Sequence, residues 1–332
     1  MRVGASVLAA FCGLLALCAL LGWQTMIRMP GGSFPGPLPA LTAAQSALAE
    51  ELRRDVTHLA ADMGERNLFH HDALERTAEW IEAQLKLAGY TPQRQTFAVD
   101  GRACHNIEIE VVGSDHRDEI VVIGAHYDSA PGTPGANDNA SGTAALLALA
   151  RRLRETPQAR TLRLVWFTNE EPPHFQTPDM GSLRYARRAA ERRERIVAML
   201  SLETIGYYST AQGSQQYPAP IGWLYPSVGD FIGFVADLGS RDLLRRAVAA
   251  FRRHARFPSQ GAALPRVLPG VGWSDHWAFW QHGYSAVMVT DTAPFRYPHY
   301  HRRTDTPDKV DYPRLARVVD GLRGTIAELV QR

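Results

Sequence analysis

Four segments of this chain concentrate side chains that could do chemistry. In GAHYDSAPGTPGANDNASG, His126 and Asp128 stand two apart at the end of an apolar run, and Asp138 lies in a loop rich in Gly, Asn and Ser ahead of an apolar helical stretch. Glu170 and Glu171 follow TLRLVWFT, Glu203 closes MLSLE, and His301 sits in YPHYHRRTDTPD. Singly, each has an ordinary explanation: Asp138 would serve as a helix N-cap, and a lone Glu or His on a surface is simply hydrated. Their company changes that. Side chains two apart on a strand share a face, and a carboxylate beside a liganding histidine fixes that ring's tautomer and orientation. Two adjacent carboxylates at a buried strand end are electrostatically unfavourable unless a positive charge lies close. A metal ion supplies such a charge, so that one glutamate can ligate while its neighbour acts as a base toward a metal-activated water. Imidazole and carboxylate donors without thiolates suit zinc, and also manganese or cobalt.

Such a site needs rigid elements to hold it. Ala44, Leu48, Leu52, Val56 and Leu59 recur at spacings of three and four with charges between them, which predicts a helix over Thr42–Met63. A second helix over Asp72–Ala88 stops at Gly89. Thr91–Val99 and Asn106–Val112 alternate as strands do, and Glu119–Ala125 is a continuous apolar run, as in a strand buried on both faces. An apolar helix over Thr143–Leu153, a strand over Thr161–Thr168, a basic helix over Leu183–Arg195 and a strand over Ile196–Leu202 follow. A helix over Asp242–Arg256, its arginines read as a solvated face, a short helix over Trp273–Gln281, a strand over Ser285–Thr290 and a closing helix over Tyr312–Val330 complete the chain. This alternation predicts an α/β three-layer sandwich, with a mixed, mostly parallel central sheet flanked by helices. The candidate residues then fall at the carboxyl ends of strands, where open α/β sheets form their sites.

Taken in order, AHYDS, GANDNASG, NEEPP, DMGS, LETIGYY, SDHWAF and YHRRTDTPDKVD resemble the M28 family of zinc aminopeptidases, from about Leu48 to the C-terminus. No single piece is specific; the ordered set is. The resemblance implies a co-catalytic site for two zinc ions per chain, with His126 and Glu203 as terminal ligands of one, Glu171 and His301 of the other, and Asp138 bridging. It implies that Asp128 orients His126, and that Glu170 is the general base, taking a proton from a water held between the metals and passing it to the leaving amine. The implied activity is release of amino acids from peptides with a free N-terminus. His301, with Asp305 four and Thr306 five residues on, fits the family's spacing; His299 does not. Asp275 and His276 match a family segment close to the site but receive no role. Glu203 is a departure, standing where several members have Asp; its longer reach implies altered geometry at that ligand. Two alternatives stay open. Glutaminyl cyclases resemble the same family and use one zinc to cyclise N-terminal Gln. A catalytically inactive binding domain is the other, which missing ligands would mark; none is missing.

Composition narrows the partners. The 332 residues carry 36 basic and 34 acidic side chains, a formal net charge of +2. A nucleic-acid binder usually shows a strong basic excess, so no nucleic-acid partner is expected. Of three cysteines, Cys12 and Cys18 lie in the apolar N-terminus, which leaves Cys104 without an internal disulfide partner. Val3–Trp23 holds no charged residue and is long enough, as a helix, to span a bilayer. Residues 1–28 are therefore read as a membrane anchor or signal segment, 29–41 as a Pro/Gly-rich linker, and 42–332 as the metallopeptidase domain. The run exceeds a usual signal core and no Ala-x-Ala site follows it, which favours an uncleaved transmembrane helix over a secreted form. Either reading places the catalytic domain outside the cytoplasm, periplasmic or extracellular. The segment Gly206–Asp230, rich in Tyr, Gly, Pro and Ser, is expected at the mouth of the site.

Overall fold

The structure, a computed structural model, describes residues 11, 13, 14, 17, 20–219 and 221–331. The expected membrane segment falls mostly outside them. Among the described residues no helix is long and apolar enough to cross a membrane, so the expected spanning helix is not found there.

Eight strands form one mixed sheet: β1 (Gln93–Val99), β2 (Arg102–Val111), β3 (His116–His126), β4 (Arg160–Phe167), β5 (Arg195–Glu203), β6 (Ile232–Asp237), β7 (Ser259–Leu264) and β8 (Ala286–Thr290), in the order β1-β2-β4-β3-β5-β8-β6-β7. The central strands β4, β3, β5 and β8 run parallel, and β6 and β7 are parallel to each other. The pairings β1–β2, β2–β4 and β6–β8 are antiparallel. Among the described residues the longer helices around the sheet are α1 (Ala43–Thr57), α2 (His71–Leu87), α3 (Gly142–Leu153), α4 (Gly181–Glu191), α5 (Arg241–His254), α6 (His276–Gln281) and α7 (Tyr312–Gln331), with one short turn of helix at Ala293–Arg296. Thr42 starts α1 with a capping box, its hydroxyl accepting from Gln45 N while the Gln45 side chain accepts from Thr42 N. A π-helical turn, His58–Met63, extends α1.

Strand alternation produces the layers. Val121, Ile123 and Ala125 of β3, Leu162, Leu164 and Trp166 of β4, and Leu200 and Leu202 of β5 share one core with α1, α2, α3, α5 and α7. Ile120 and Val122, Val165 and Phe167, and Met199 face the opposite way, into a core with α4 and α6. Because α3 is itself covered by α1, α2 and α7, nearly all its residues are buried. That explains an apolar composition with no polar face, and it gives the loop ahead of α3 a rigid base.

The strands β6 and β7 are not expected from the sequence. Both contain glycine, which weakens strand propensity, and both glycines have close neighbours. A Cβ on Gly261 would meet Met29 Cγ at 2.6 Å, and one on Gly233 would meet Thr290 O at 3.2 Å. Residues 29–39 lack regular structure, as a Pro/Gly-rich segment should, yet they lie along the body. Met29 is buried, Arg252 donates to Met29 O, Pro30 O and Gly31 O, and Arg317 donates to Pro39 O.

Candidate metal centre

The parallel strands deliver the candidate residues to one edge of the sheet. His126 ends β3, Glu203 ends β5, and Glu170 and Glu171 come just after β4. Asp138 arrives on the loop between β3 and α3, and its peptide bond to Asn139 is cis. Three residues here adopt left-handed backbone conformations without being glycine: Asn169 before Glu170 (φ 57°), Thr204 after Glu203 (φ 43°), and His301 itself (φ 53°). Such conformations persist where surrounding contacts over-determine them. For Thr204 those contacts are Thr204 N donating to Asn139 Oδ1 (3.1 Å) and Asp291 N donating to Thr204 O (2.6 Å).

The seven sequence-predicted residues converge. His126 Nε2 lies 3.2 Å from Glu203 Oε2, 3.5 Å from Asp138 Oδ1 and 3.8 Å from Glu170 Oε2. On the other side of Asp138, His301 Nε2 lies 3.0 Å from Asp138 Oδ2 and 3.2 Å from Glu171 Oε2. His126, Asp138 and Glu171 place ligand atoms within 4.8 Å of one another. Asp128 lies behind this set. Its Oδ1 is 3.5 Å from His126 Nδ1 and accepts from Glu170 N (3.2 Å), while its Oδ2 accepts from Glu171 N (3.1 Å). His299 is turned away, its Nδ1 hydrogen-bonded to Thr304 Oγ1 at 2.8 Å on the surface.

Local charge is far out of balance. Burial pushes the Glu170 carboxyl well above its usual range; His126 opposes this, and Glu203, Glu171 and Asp275 reinforce it. Burial and the neighbouring charge of Asp138 raise Glu171 to about 8, and burial also raises Glu203. Burial alone would lower both histidines. Instead the charges of Glu203 and Glu170 hold His126 well above its ordinary value, and Asp138 and Glu171 hold His301 at about 11. Apart from the facing histidine nitrogens, both oxygens of Asp138 and Oε1 of Glu171 are buried without a hydrogen-bond partner. Buried acceptors left this way are unfavourable, and acceptor lone pairs turned toward common points are what a cation requires. Two imidazoles and three carboxylates able to ligate, with no thiol among them, are a donor set that fits zinc.

Apart from Asp128, sequence reasoning did not single out the residues that position these side chains. Asp305 Oδ1 accepts from Asn137 N (2.8 Å) and from Tyr297 Oη (2.7 Å), and its Oδ2 accepts from Asp138 N (3.0 Å). Asn139 bridges the same loop to β5, donating to Leu202 O (2.8 Å). Ser274 Oγ donates to Glu203 Oε2 (2.8 Å), which gives the Ser-Asp-His segment a use beside the site. Of the other two, His276 donates from Nε2 to Val271 O at 2.8 Å, and burial lowers it to about 4. Asp275 is fully enclosed, and burial raises it to about 7. The signals that could have found Ser274 and Asp305 were their places inside motifs already noted; Asn139 had only its loop.

A cleft of about 90 Å³ adjoins the centre, with Glu203 and Tyr300 in its wall. Its walls are mostly apolar, with Phe231, Val235, Leu264, Trp273, Met288 and Phe295 among them. Gln215, Tyr217 and Tyr225, from the segment expected at the mouth, line it too. Tyr300 stacks on the His301 ring at 3.9 Å.

A family model described as peptidase family M28 matches residues 106–326. The chain is 38% identical over 285 residues to a protein of Escherichia coli strain K12, "Uncharacterized protein YfbL", with 83% of this chain and 87% of that one covered. Among solved structures it is similar to BSAP, a zinc aminopeptidase from Bacillus subtilis, with TM-score 0.69 at 15% identity over 86% of this chain and 95% of that one. It is also similar to a glutaminyl cyclase from Fimbriiglobus ruber, with TM-score 0.63 at 18% identity over 92% of this chain and all of that one. At these identities the structural likenesses show a shared fold, which a peptidase and a cyclase both have.

Proposed function

Because this chain belongs to peptidase family M28, we propose that it is a zinc-dependent aminopeptidase, releasing single residues from peptides that present a free N-terminus. The observation that supports this most is the Asp138 carboxylate shared between two histidines: Oδ1 lies 3.5 Å from His126, which also neighbours Glu203, and Oδ2 lies 3.0 Å from His301, which also neighbours Glu171. In the proposal, His126 and Glu203 hold one zinc, Glu171 and His301 hold a second, and Asp138 serves both. Two zinc ions, when bound, would polarise the scissile carbonyl and acidify a water.

The remaining steps belong to the chain itself. Glu170 reaches the centre without being assigned as a ligand, so its carboxylate is free to take the proton of the attacking water and return it to the leaving amine. Asp128 fixes the main chain of Glu170 and Glu171 and the ring of His126, so base and ligands move as one unit. The apolar cleft receives the substrate's first side chain, and its lining favours a large apolar residue. Val3–Trp23 supports a further proposal, that an N-terminal helix anchors the body at a membrane on its outer side.

The direct test is elemental analysis of the purified chain beside a panel of aminoacyl chromogenic substrates and a Gln-cyclisation assay. About two zinc ions per chain with aminoacyl release supports the reading. About one zinc with cyclisation and no release replaces it with the cyclase. A folded, zinc-supplied sample with neither metal nor turnover replaces it with a binding domain. For the anchor, detergent-dependent extraction from membranes is expected; release by high salt alone overturns it.

A further inference from the structure

Arg66 lies outside every motif of the site and outside residues 106–326, yet its guanidinium is fully buried against the loop that carries the ligands. The chain reaches it through Gly64, at φ 74°. Its Nε donates to Tyr127 O (2.7 Å), its Nη1 to Pro134 O (2.5 Å), Gly64 O (3.1 Å) and Leu59 O (3.3 Å), and its Nη2 to Gly135 O (2.9 Å). Its own main chain joins the same loop: Arg66 N donates to Ser129 Oγ (3.2 Å) and Ser129 N donates to Arg66 O (2.9 Å).

Two features set this arginine apart. All the acceptors of its side chain are main-chain carbonyls, while the nearby carboxylates face His126 and His301 instead. A buried cation without an anion in contact is expensive to keep. Secondly, the carbonyls it gathers bracket the ligands. Tyr127 lies between His126 and Asp128, and Pro134 and Gly135 come shortly before Asp138. Burial lowers its pKa to about 10, opposed by the charges of Asp128, Asp305, Asp138 and Glu171, so it stays cationic at neutral pH.

We propose that Arg66 is a positioning residue of the metal centre. Its planar fork braces Tyr127 O against Pro134 O and Gly135 O, which sets the reach from His126 to Asp138, and it places a permanent positive charge behind the ligand carboxylates. This rests on the zinc-peptidase reading above. A lysine would keep the charge but, as a compact ammonium, could not span carbonyls on both limbs of the loop.

The test uses the full chain with Arg66→Lys, measuring zinc affinity by chelator competition, kcat and KM at saturating zinc, and Tm. Zinc affinity about 10- to 100-fold weaker is expected, the range for groups that orient metal ligands. A matching loss in kcat with KM within about threefold should accompany it. A purely structural role would lower Tm and leave the zinc affinity and kcat of the folded molecules unchanged, and that result overturns the inference. If Arg66→Lys does not fold, Ser129→Ala removes the acceptor of Arg66 N with little loss of volume. Severalfold weaker zinc binding supports the inference, and wild-type affinity and kcat in Ser129→Ala overturn it. The wild type measured alongside separates the two readings: if it binds no zinc and releases no amino acid, the peptidase reading falls and takes this inference with it.

Discussion

Asp128 is where three candidate groups converge, so its replacement by asparagine is the most informative single change. Oδ1 accepts from Glu170 N at 3.2 Å and Oδ2 from Glu171 N at 3.1 Å, with His126 Nδ1 3.5 Å from Oδ1. Asp128→Asn preserves size and shape but converts one oxygen to an amide NH2. Whichever way that amide turns, the NH2 faces one of two buried backbone N–H groups, and that donor loses its acceptor. Leaving a buried donor unpaired costs about 1–3 kcal/mol. At about 1.4 kcal/mol per tenfold, this is roughly a 5- to 150-fold effect. His126 Nδ1 keeps the Asp128 main-chain O at 3.3 Å but loses the carboxylate charge at 3.5 Å, and groups that orient a liganding histidine are worth about 10- to 100-fold. The ranges overlap, so zinc affinity and kcat/KM should each fall about 10- to 100-fold in a chain that still folds. Chelator competition gives the affinity, and an aminoacyl chromogenic substrate at saturating zinc gives kcat/KM. If Asp128→Asn matched the wild type in both, Asp128 would position nothing, and the account of a coupled ligand–base unit would be wrong.

Three further outcomes are expected. Glu170→Gln should keep its zinc by elemental analysis while kcat drops about 10²- to 10⁴-fold, as for loss of a general base; near-normal turnover would remove Glu170 from that role. In the metal-free chain, burial raises Glu171 from 4.5 to about 8 and also raises Glu170 and Glu203, so the folded state binds protons that the unfolded chain releases. Asp138 is shifted the other way but is outnumbered. The stability these groups contribute is present below about pH 4.5 and lost as pH rises through about 8. Chelator-treated protein should therefore show Tm falling between about pH 5 and 8, and a rising Tm would contradict the charge crowding. Lastly, burying a Leu side chain in the cleft is worth about 1.5–3 kcal/mol over Gly, which is roughly 10- to 150-fold in kcat/KM. Equal rates for Gly, Leu, Lys and Asp at the N-terminus would mean that the cleft does not receive the first side chain.

Much of this protein is legible in the order of its residues. The runs EIVVIGA and TLRLVWFT are apolar because β3 and β4 are buried on both faces, and the amphipathic stretches of α1 and α2 show which side meets the core. Of the candidate side chains, His126, Glu170 and Glu171 stand at the ends of those runs, so the carboxyl edge of a parallel sheet is implied by the sequence. These features are local, and a pattern of two to four residues is enough to encode them. Other features come from the tertiary structure. The strands β6 and β7 form although their glycines disfavour extended structure, because β6 pairs with β8 on one side and with β7 on the other. His301 faces Asp138 while His299, two residues earlier, pairs with Thr304 and packs on Tyr297. Asp305 meets Asn137, Arg66 meets Pro134 and Ser274 meets Glu203, pairs separated by 168, 68 and 71 residues. No local pattern records such pairs, because hydrogen-bond partners this far apart are chosen by how the layers pack, and packing is a property of the whole folded chain.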